Sequence, residues 1–424
     1  SLRPEIKNPI YSPEVMKNIK IVSAQEAVKV VKSNDRIHMH SVAVTPHPLI
    51  KALCERGRNK EFRNVRIQHI HTEGDVGYAN PEFEGIFQLE SFFVAHNVRK
   101  QTQAGYADYI PVFLQETQRL IREGYLKVNV AMIQVSVPDK FGYVSLGTSV
   151  DSTLAAVENA ETVIAIINPN VPRAFGDAMI HINDIDIFVE DDSQLVAAEP
   201  GPISDTDRKI GRYVAELVED GATLQMGIGA IPNAVLTMLG NHKDLGVHSE
   251  MFADGILPLV DKGVVNGKNK AIDKGKMVAT FLMGSKKLYD FVSDNPGVLM
   301  QDVGYSNRVN VIAQNPKVTA INSALQVDIT GQVCADSIGT KFYSGAGGQL
   351  DFVRGASRSE GGMTFIALPS TTKGDSISRI VRQLKPGAGT VTTRYDVHYV
   401  ATEFGVVDLW GRKISERVHA LTSI

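Results

Sequence analysis

Two cysteines in 424 residues, Cys54 and Cys334, are too few and too far apart for a disulfide framework. Each stands among apolar neighbours, so both read as buried free thiols in a reducing compartment, and the chain reads as cytoplasmic. No stretch reaches the roughly 18 consecutive apolar residues that a membrane span requires, and the opening Ser1-Leu2-Arg3-Pro4 lacks the apolar core of a signal peptide. An excess of one charge is missing too. With 44 basic against 47 acidic side chains the net charge is −3, which argues against nucleic acid or an anionic membrane as main partner and leaves phosphate-bearing small ligands to local patches.

Several familiar site patterns are also absent. Ser145 and Ser149 lie outside any G-x-S-x-G elbow, which disfavours a hydrolase serine. Gly263 to Lys268 has the wrong length for a phosphate loop and lacks the final Ser or Thr. The acidic stretch Asp184, Asp186, Glu190, Asp191 and Asp192 has neither the spacing nor the glycine of a calcium loop and reads as a solvated face. His38/His40 and His69/His71 place two histidines on one side of a strand, yet no third ligand is near, so core histidines or strand ends beside a cleft are expected, with Ser41 and His47 in that wall, and no metal. Lys286-Lys287 reads as solvated surface, with contact to the phosphates of a ligand as the other reading.

A chain this long exceeds one hydrophobic core, so two domains are expected, over residues 1–200 and 201–424. The join falls in Ala197 to Ser204, where Pro200, Gly201 and Pro202 precede a helix start with Ser204 or Asp205 as cap. Val31 to Leu49 overlays Val218 to Leu236, with Met39 on Met226, and Pro138 to Val144 overlays Val327 to Val333, with Gly142 on Gly331. The register drifts by about two residues over a hundred positions, as expected for two copies of one unit. Apolar runs such as Val128 to Val135 and Thr162 to Ile167 alternate with helical patterns such as Asp207 to Val218. The fold class is therefore α/β: two tandem, related open domains with largely parallel sheets, and a site in the cleft between them.

The positive signals are two glycine loops and one carboxylate. Gly227-Ile228-Gly229 follows an apolar strand and precedes a helix opening near Pro232, leaving loop N–H groups free to meet an anion. Pro232 stands where a dinucleotide-binding loop needs its third glycine, which disfavours a Rossmann site; a purely structural turn stays open. Gly345-Ala346-Gly347-Gly348 lets backbone approach a ligand closely, although alone it could be a hairpin. Between them lies Leu245-Gly246-Val247-His248-Ser249-Glu250-Met251. A glutamate beside two such loops, with no Ser/His pair, fits a carboxylate nucleophile working against backbone N–H groups in metal-free acyl chemistry; an ordinary surface glutamate is the plainer reading.

GIGAIPNAV (Gly227 to Val235), GVHSEM (Gly246 to Met251), DKGKMVATFLMGSKKLYDF (Asp273 to Phe291), QVDITGQVCADSIGT (Gln326 to Thr340) and SGAGGQLDFVRGA (Ser344 to Ala356) together resemble the acetyl-CoA hydrolase/transferase branch of the family I CoA-transferases, nearest to 4-hydroxybutyrate and butyryl-CoA:acetate CoA-transferases. The resemblance spans nearly the whole chain and suggests a few residues beyond Ile424. It implies a CoA-transferase-like, NagB/RpiA-type arrangement with Glu250 as nucleophile and Asn307 as a polar neighbour. Gly227, Ile228, Gly229, Ala230, Ile231, Gly347 and Gly348 are implied to serve coenzyme A and the oxyanion hole. Acyl-CoA and short carboxylic acids would be the substrates, with no tightly bound cofactor; a homodimer is the expectation from frequency. An acetyl-CoA hydrolase and a CoA-ester-binding protein without turnover are the alternatives.

Overall fold

The computed structural model describes residues 13–372 and 374–424; Ser1-Leu2-Arg3-Pro4, where the expectation of no signal peptide falls, lies outside them. The chain divides into two units. The first takes residues up to Pro111, Glu116–Ala198 and Thr280–Val303; the second takes Val112–Gln115, Glu199–Ala279 and Gly304–Ile424. The segment Thr280–Val303 thus counts with the first unit although it lies past residue 200.

In the first unit, strands β1 (Arg36–Met39), β2 (Val65–His69), β3 (Phe87–Ser91), β4 (Ala107–Tyr109), β5 (Val130–Val135), β6 (Thr162–Ile167) and β7 (Ile187–Glu190) form one sheet in the order β4-β3-β2-β1-β5-β6-β7, every pair parallel. All six side chains of Val130–Val135 are buried. A sheet covered on both faces needs such near-continuous apolar runs, because neither face meets water, and the one polar member, Gln134, is hydrogen-bonded. Ile37, Met39, Ile67, Leu89 and Ile164 meet Leu49 and Leu53 of helix α1 (His47–Arg58) in one core. Each fully buried aliphatic side chain there contributes about 1.5–3 kcal/mol.

The second unit repeats the plan. Strands β8 (Thr223–Met226), β9 (Gly246–Val247), β10 (Val318–Ser323), β11 (Met363–Ala367), β12 (Tyr399–Thr402) and β13 (Gly405–Asp408) run in the order β9-β8-β10-β11-β12-β13, parallel except for the final hairpin. Helix α2 (Asp205–Ala215) opens on Ser204, whose Oγ accepts from Asp207 N–H at 3.1 Å while Asp207 Oδ2 accepts from Ser204 N–H at 3.0 Å. This reciprocal cap places the helix two residues earlier than its apolar pattern suggested. Helices α3 (Ala230–Thr237) and α4 (Gln349–Arg358) follow the two glycine loops.

The repeat is visible atom by atom. β1 and β8 have the same length and the same offset as Met39 and Met226. Asp139 Oδ1 accepts from the N–H groups of Phe141 and Tyr143 around Gly142 (φ 84°), and Asp328 Oδ1 accepts from Thr330 and Gln332 around Gly331 (φ 98°). An aspartate closing a turn on its own backbone, with a glycine in the left-handed region, recurs at one place in both copies. Mostly parallel sheets in tandem α/β units are as expected. Among the described residues no helix is long and apolar enough to cross a membrane, and both cysteines are free and buried.

Candidate active site

β8 and the segment after β9 set the stage within the second unit. His248 N–H donates to Leu224 C=O at 3.1 Å, and Ser249 N–H donates to Val278 C=O at 3.0 Å, so backbone pairing continues through Ser249 before the chain bends at Glu250. Ser249 Oγ turns to the end of β8, 3.3 Å from Met226 N–H and 3.4 Å from Met226 C=O. His248 and Glu250 both reach the Ser306-Asn307 step instead: His248 Nε2 lies 2.7 Å from Ser306 C=O, and Glu250 Oε2 accepts from Asn307 Nδ2 at 2.7 Å. Asn307 and Ser306 are fully buried, whereas Glu250 is half-buried.

The second glycine loop comes to the same carboxylate. Gly348 is the N-cap of α4 and carries no side-chain cap. A Cβ added there would overlap Glu250 Oε2 and stand 2.5 Å from Asn307 Nδ2, so only backbone fits. The positive end of a ten-residue helix therefore abuts an anionic side chain, the favourable polarity. Gln349 anchors that end, its Nε2 donating to Ser323 C=O at 2.7 Å and its Oε1 accepting from Thr392 Oγ1 at 3.0 Å.

The first loop begins where Ser249 is pinned. Gly227 N–H donates to Ile321 C=O at 2.9 Å, closing β8 onto β10. Below it Gln225 and Asn322 exchange two buried amide hydrogen bonds of 3.1 and 2.9 Å. Beyond Gly227 the chain turns outward: Gly229 has φ 129° and ψ −177°, Ile228 is 65% exposed, and Ile231 returns to the interior.

Burial dominates the electrostatics behind the carboxylate. His248 is held at about 4, chiefly by desolvation and secondarily by the charge of Lys270, so it is a neutral ring. Lys270 is lowered to about 8 by burial, with Asp273 opposing; its Nζ donates to Val247 C=O at 3.0 Å and Lys276 C=O at 2.7 Å, under the strand that presents Glu250.

Residues 14–200 match the acetyl-CoA hydrolase/transferase N-terminal domain, and residues 284–424 match the acetyl-CoA hydrolase/transferase C-terminal domain. The chain is 45% identical over 405 residues to a 4-hydroxybutyrate coenzyme A transferase of Clostridium kluyveri, covering 96% of this chain and 94% of that protein. It is 46% identical over 405 residues to a succinyl-CoA:acetate/propanoyl-CoA:succinate CoA transferase of Fasciola hepatica, covering 95% and 84%. The crystal structure of a 4-hydroxybutyrate CoA-transferase from Porphyromonas gingivalis superposes with a TM-score of 0.83 at 36% identity, over 97% of this chain and 95% of that one. The chain belongs to the acetyl-CoA hydrolase/transferase family. Relatives between 35% and 46% identical are CoA transferases, and this chain is an enzyme of that type.

In this CoA-transferase, Glu250, Asn307 and Gly348 come together, with Gly347 adjacent in the chain and the Gly227–Ile231 loop tied in through Ser249. The remaining candidates do structural work in the first unit. His38 is hydrogen-bonded at both ring nitrogens, to Thr153 Oγ1 and Gln68 Nε2, and His40 likewise to Ser149 C=O and Gln134 N–H. Ser145 Oγ donates to Ala174 C=O and Ser149 Oγ donates to Ser41 C=O. Lys286 pairs with Asp290 on an exposed helix face. His47 lines a first-unit cavity of about 600 Å³ whose wall holds none of the residues around Glu250. Among the described residues no group of three or more His, Cys, Asp or Glu could hold a metal ion.

Sequence reasoning missed His248, Ser306 and Lys270. A signal existed for the first: it stands two positions before Glu250 in the same motif. Nothing local marks Lys270, whose burial depends on strand pairing.

Proposed function

We propose that this CoA-transferase moves coenzyme A between a short-chain acyl-CoA, with acetyl-CoA/acetate and 4-hydroxybutyrate as the pair, and a free carboxylic acid, with Glu250 as covalent carrier. The observation that carries the reading is the half-buried Glu250 carboxylate, fixed by Asn307 Nδ2 at 2.7 Å and flush against the glycine-capped start of α4. Donor and acceptor are both acids, so a third carboxylate of similar energy is the natural relay.

Glu250 attacks the thioester carbonyl; the C–S bond breaks, giving an acyl-glutamyl anhydride and CoA thiolate. The thiolate attacks the glutamyl carbonyl and the donor acid leaves as carboxylate. The acceptor carboxylate then attacks the glutamyl-CoA thioester, expelling thiolate, which takes the acyl group from the new anhydride and restores Glu250. Each addition places negative charge on an oxygen. Backbone N–H groups at Gly347/Gly348 and in the Gly227–Ile231 loop are the donors we assign to that charge and to the CoA thioester, each such donor contributing about 3–4 kcal/mol.

The test is intact mass and turnover of wild type and Glu250→Gln after incubation with acetyl-CoA. Wild type gains the mass of CoA less one water on Glu250 and loses it when 4-hydroxybutyrate is added, whereas Glu250→Gln gains nothing and transfers at least 10³-fold more slowly. Acetyl-CoA consumption that ignores added acid would point to a hydrolase, and full transfer by Glu250→Gln would remove the nucleophile assignment.

A further inference from the structure

An asparagine side chain has two ends of opposite character, and only one serves a carboxylate. An ionised carboxyl group is acceptor-only, so the amide must keep Nδ2 toward Glu250 and Oδ1 away. In a ping-pong cycle Glu250 loses its negative charge each time it carries an acyl or CoA group; its carbonyl oxygen still accepts, but the hold on the amide drops from a charge-assisted to a neutral hydrogen bond, roughly half as strong. A second hold on the far end of the amide keeps its orientation through those steps.

The structure contains a group there. Ser306 Oγ donates to Asn307 Oδ1 at 2.9 Å, engaging the end of the amide opposite Glu250. Ser306 is fully buried and closes the one-turn helix Val303–Ser306. The C-terminal carbonyls of any helix lack intrahelical partners, and the Ser306 C=O is met by His248 Nε2 at 2.7 Å. A carbonyl can only accept, so that nitrogen carries the hydrogen and Nδ1 is bare; Nδ1 is buried with no hydrogen-bond partner. The ring is boxed by Tyr305 and Phe352 at centroid distances of 6.2 and 6.3 Å. His248 and Glu250 leave the same strand segment and rejoin at consecutive residues, making a closed loop of contacts: Glu250, Asn307, Ser306, His248 and back along the chain.

We propose that Ser306 is a positioning residue that fixes the Asn307 amide toward Glu250 through the covalent cycle, with His248 as the buried post that holds the Ser306 main chain. This rests on the reading of Glu250 as nucleophile. Neither residue touches substrate; each acts through Asn307.

A double-mutant cycle tests it. Ser306→Ala is expected to lower kcat about tenfold with KM for the CoA thioester within twofold, and to slow the appearance of the CoA adduct on Glu250 by the same factor. In an Asn307→Ala background the same change should cost less than twofold, because the group it acts through is gone. Ser306→Thr, which keeps the hydroxyl, should recover to within threefold of wild type. His248→Phe keeps ring volume but deletes the N–H, and is expected to lower kcat at least threefold, again only when Asn307 is present. Additive effects of Ser306→Ala and Asn307→Ala would overturn the proposal, and so would a wild-type kcat for Ser306→Ala. Failure of the underlying reading looks different: Glu250→Gln would then transfer normally.

Discussion

The two units carry the same strand–turn–helix element at matching positions and finish it in opposite ways. In the first, β1 runs into His40, Ser41 and Val42, all buried; in the second, β8 runs into Gly227, Ile228 and Gly229, with Ile228 65% exposed. Val42 and Gly229 occupy one position of the repeat and both have positive φ, 56° and 129°. The helix before β6 starts at Ser152 in the first unit and the one before β11 at Gly348 in the second, with no side-chain cap at either. One copy therefore fills its two turns with side chains, and the other leaves backbone bare at both. Where a carboxylate must sit against N–H groups, the copy without side chains is the one that can host it.

The filling has a thermodynamic consequence, and it gives the largest effect with which to break the comparison. Burial lowers His38, His40 and His69 in the first unit to about 3, 4 and 3, and His248 in the second to about 4. Folded-state values lie below the ordinary 6.5, so the unfolded chain binds protons first. The stability these rings contribute is complete above about pH 6.5 and is lost as pH falls toward 4. At pH 5 each of these rings costs about 2 kcal/mol, three of them in the first unit against one in the second, while Asp151 in the first unit, raised to about 6 by burial, offsets about 1.4 kcal/mol. Hydrogen exchange at pH 7 and pH 5 should show protection collapsing in β1, β2 and β5 before β8 and β10. Equal loss in both units would remove the histidines as the cause.

A smaller effect follows from exchanging the helix starts. Gly348→Ser gives the second unit the residue of the first, and its Cβ falls on Glu250 Oε2 and beside Asn307 Nδ2. The expected result is a 10²–10³-fold fall in kcat, on the scale of losing one oxyanion donor, with thermal stability within a few degrees and KM for acyl-CoA changed less than threefold. A variant of wild-type kcat would mean that the carboxylate does its work elsewhere than at α4.

Much of this organisation was legible in the residues. Period and punctuation gave the parallel strands Val130–Val135 and Thr162–Ile167, and Ser204 announced α2 because a capping box is local chemistry. Resemblance carried Glu250, Asn307 and Gly348 together, which spacing alone could not, since 57 residues separate the first two. His248, Ser306 and Lys270 stayed hidden because their roles depend on which carbonyl faces them, and only tertiary pairing decides that. Return of Thr280–Val303 to the first unit is a long-range event of the same kind.

The smallest effect separates conformation from collision. At Gly229 a Cβ would meet nothing within 4 Å, so bulk is no obstacle there. The obstacle is the backbone: φ 129° with ψ −177° is ground that only glycine enters freely, at about 1–3 kcal/mol for other residues. Gly229→Val, again borrowing from the first unit, should therefore shift the exposed loop and leave the core intact. If the loop meets the CoA thioester, KM rises about tenfold while kcat stays within threefold, the reverse of Gly348→Ser. Steady-state kinetics in acyl-CoA decides it: a kcat loss without a KM change would move this loop from binding to the reacting atoms, and no change in either would leave only the α4 loop at the substrate.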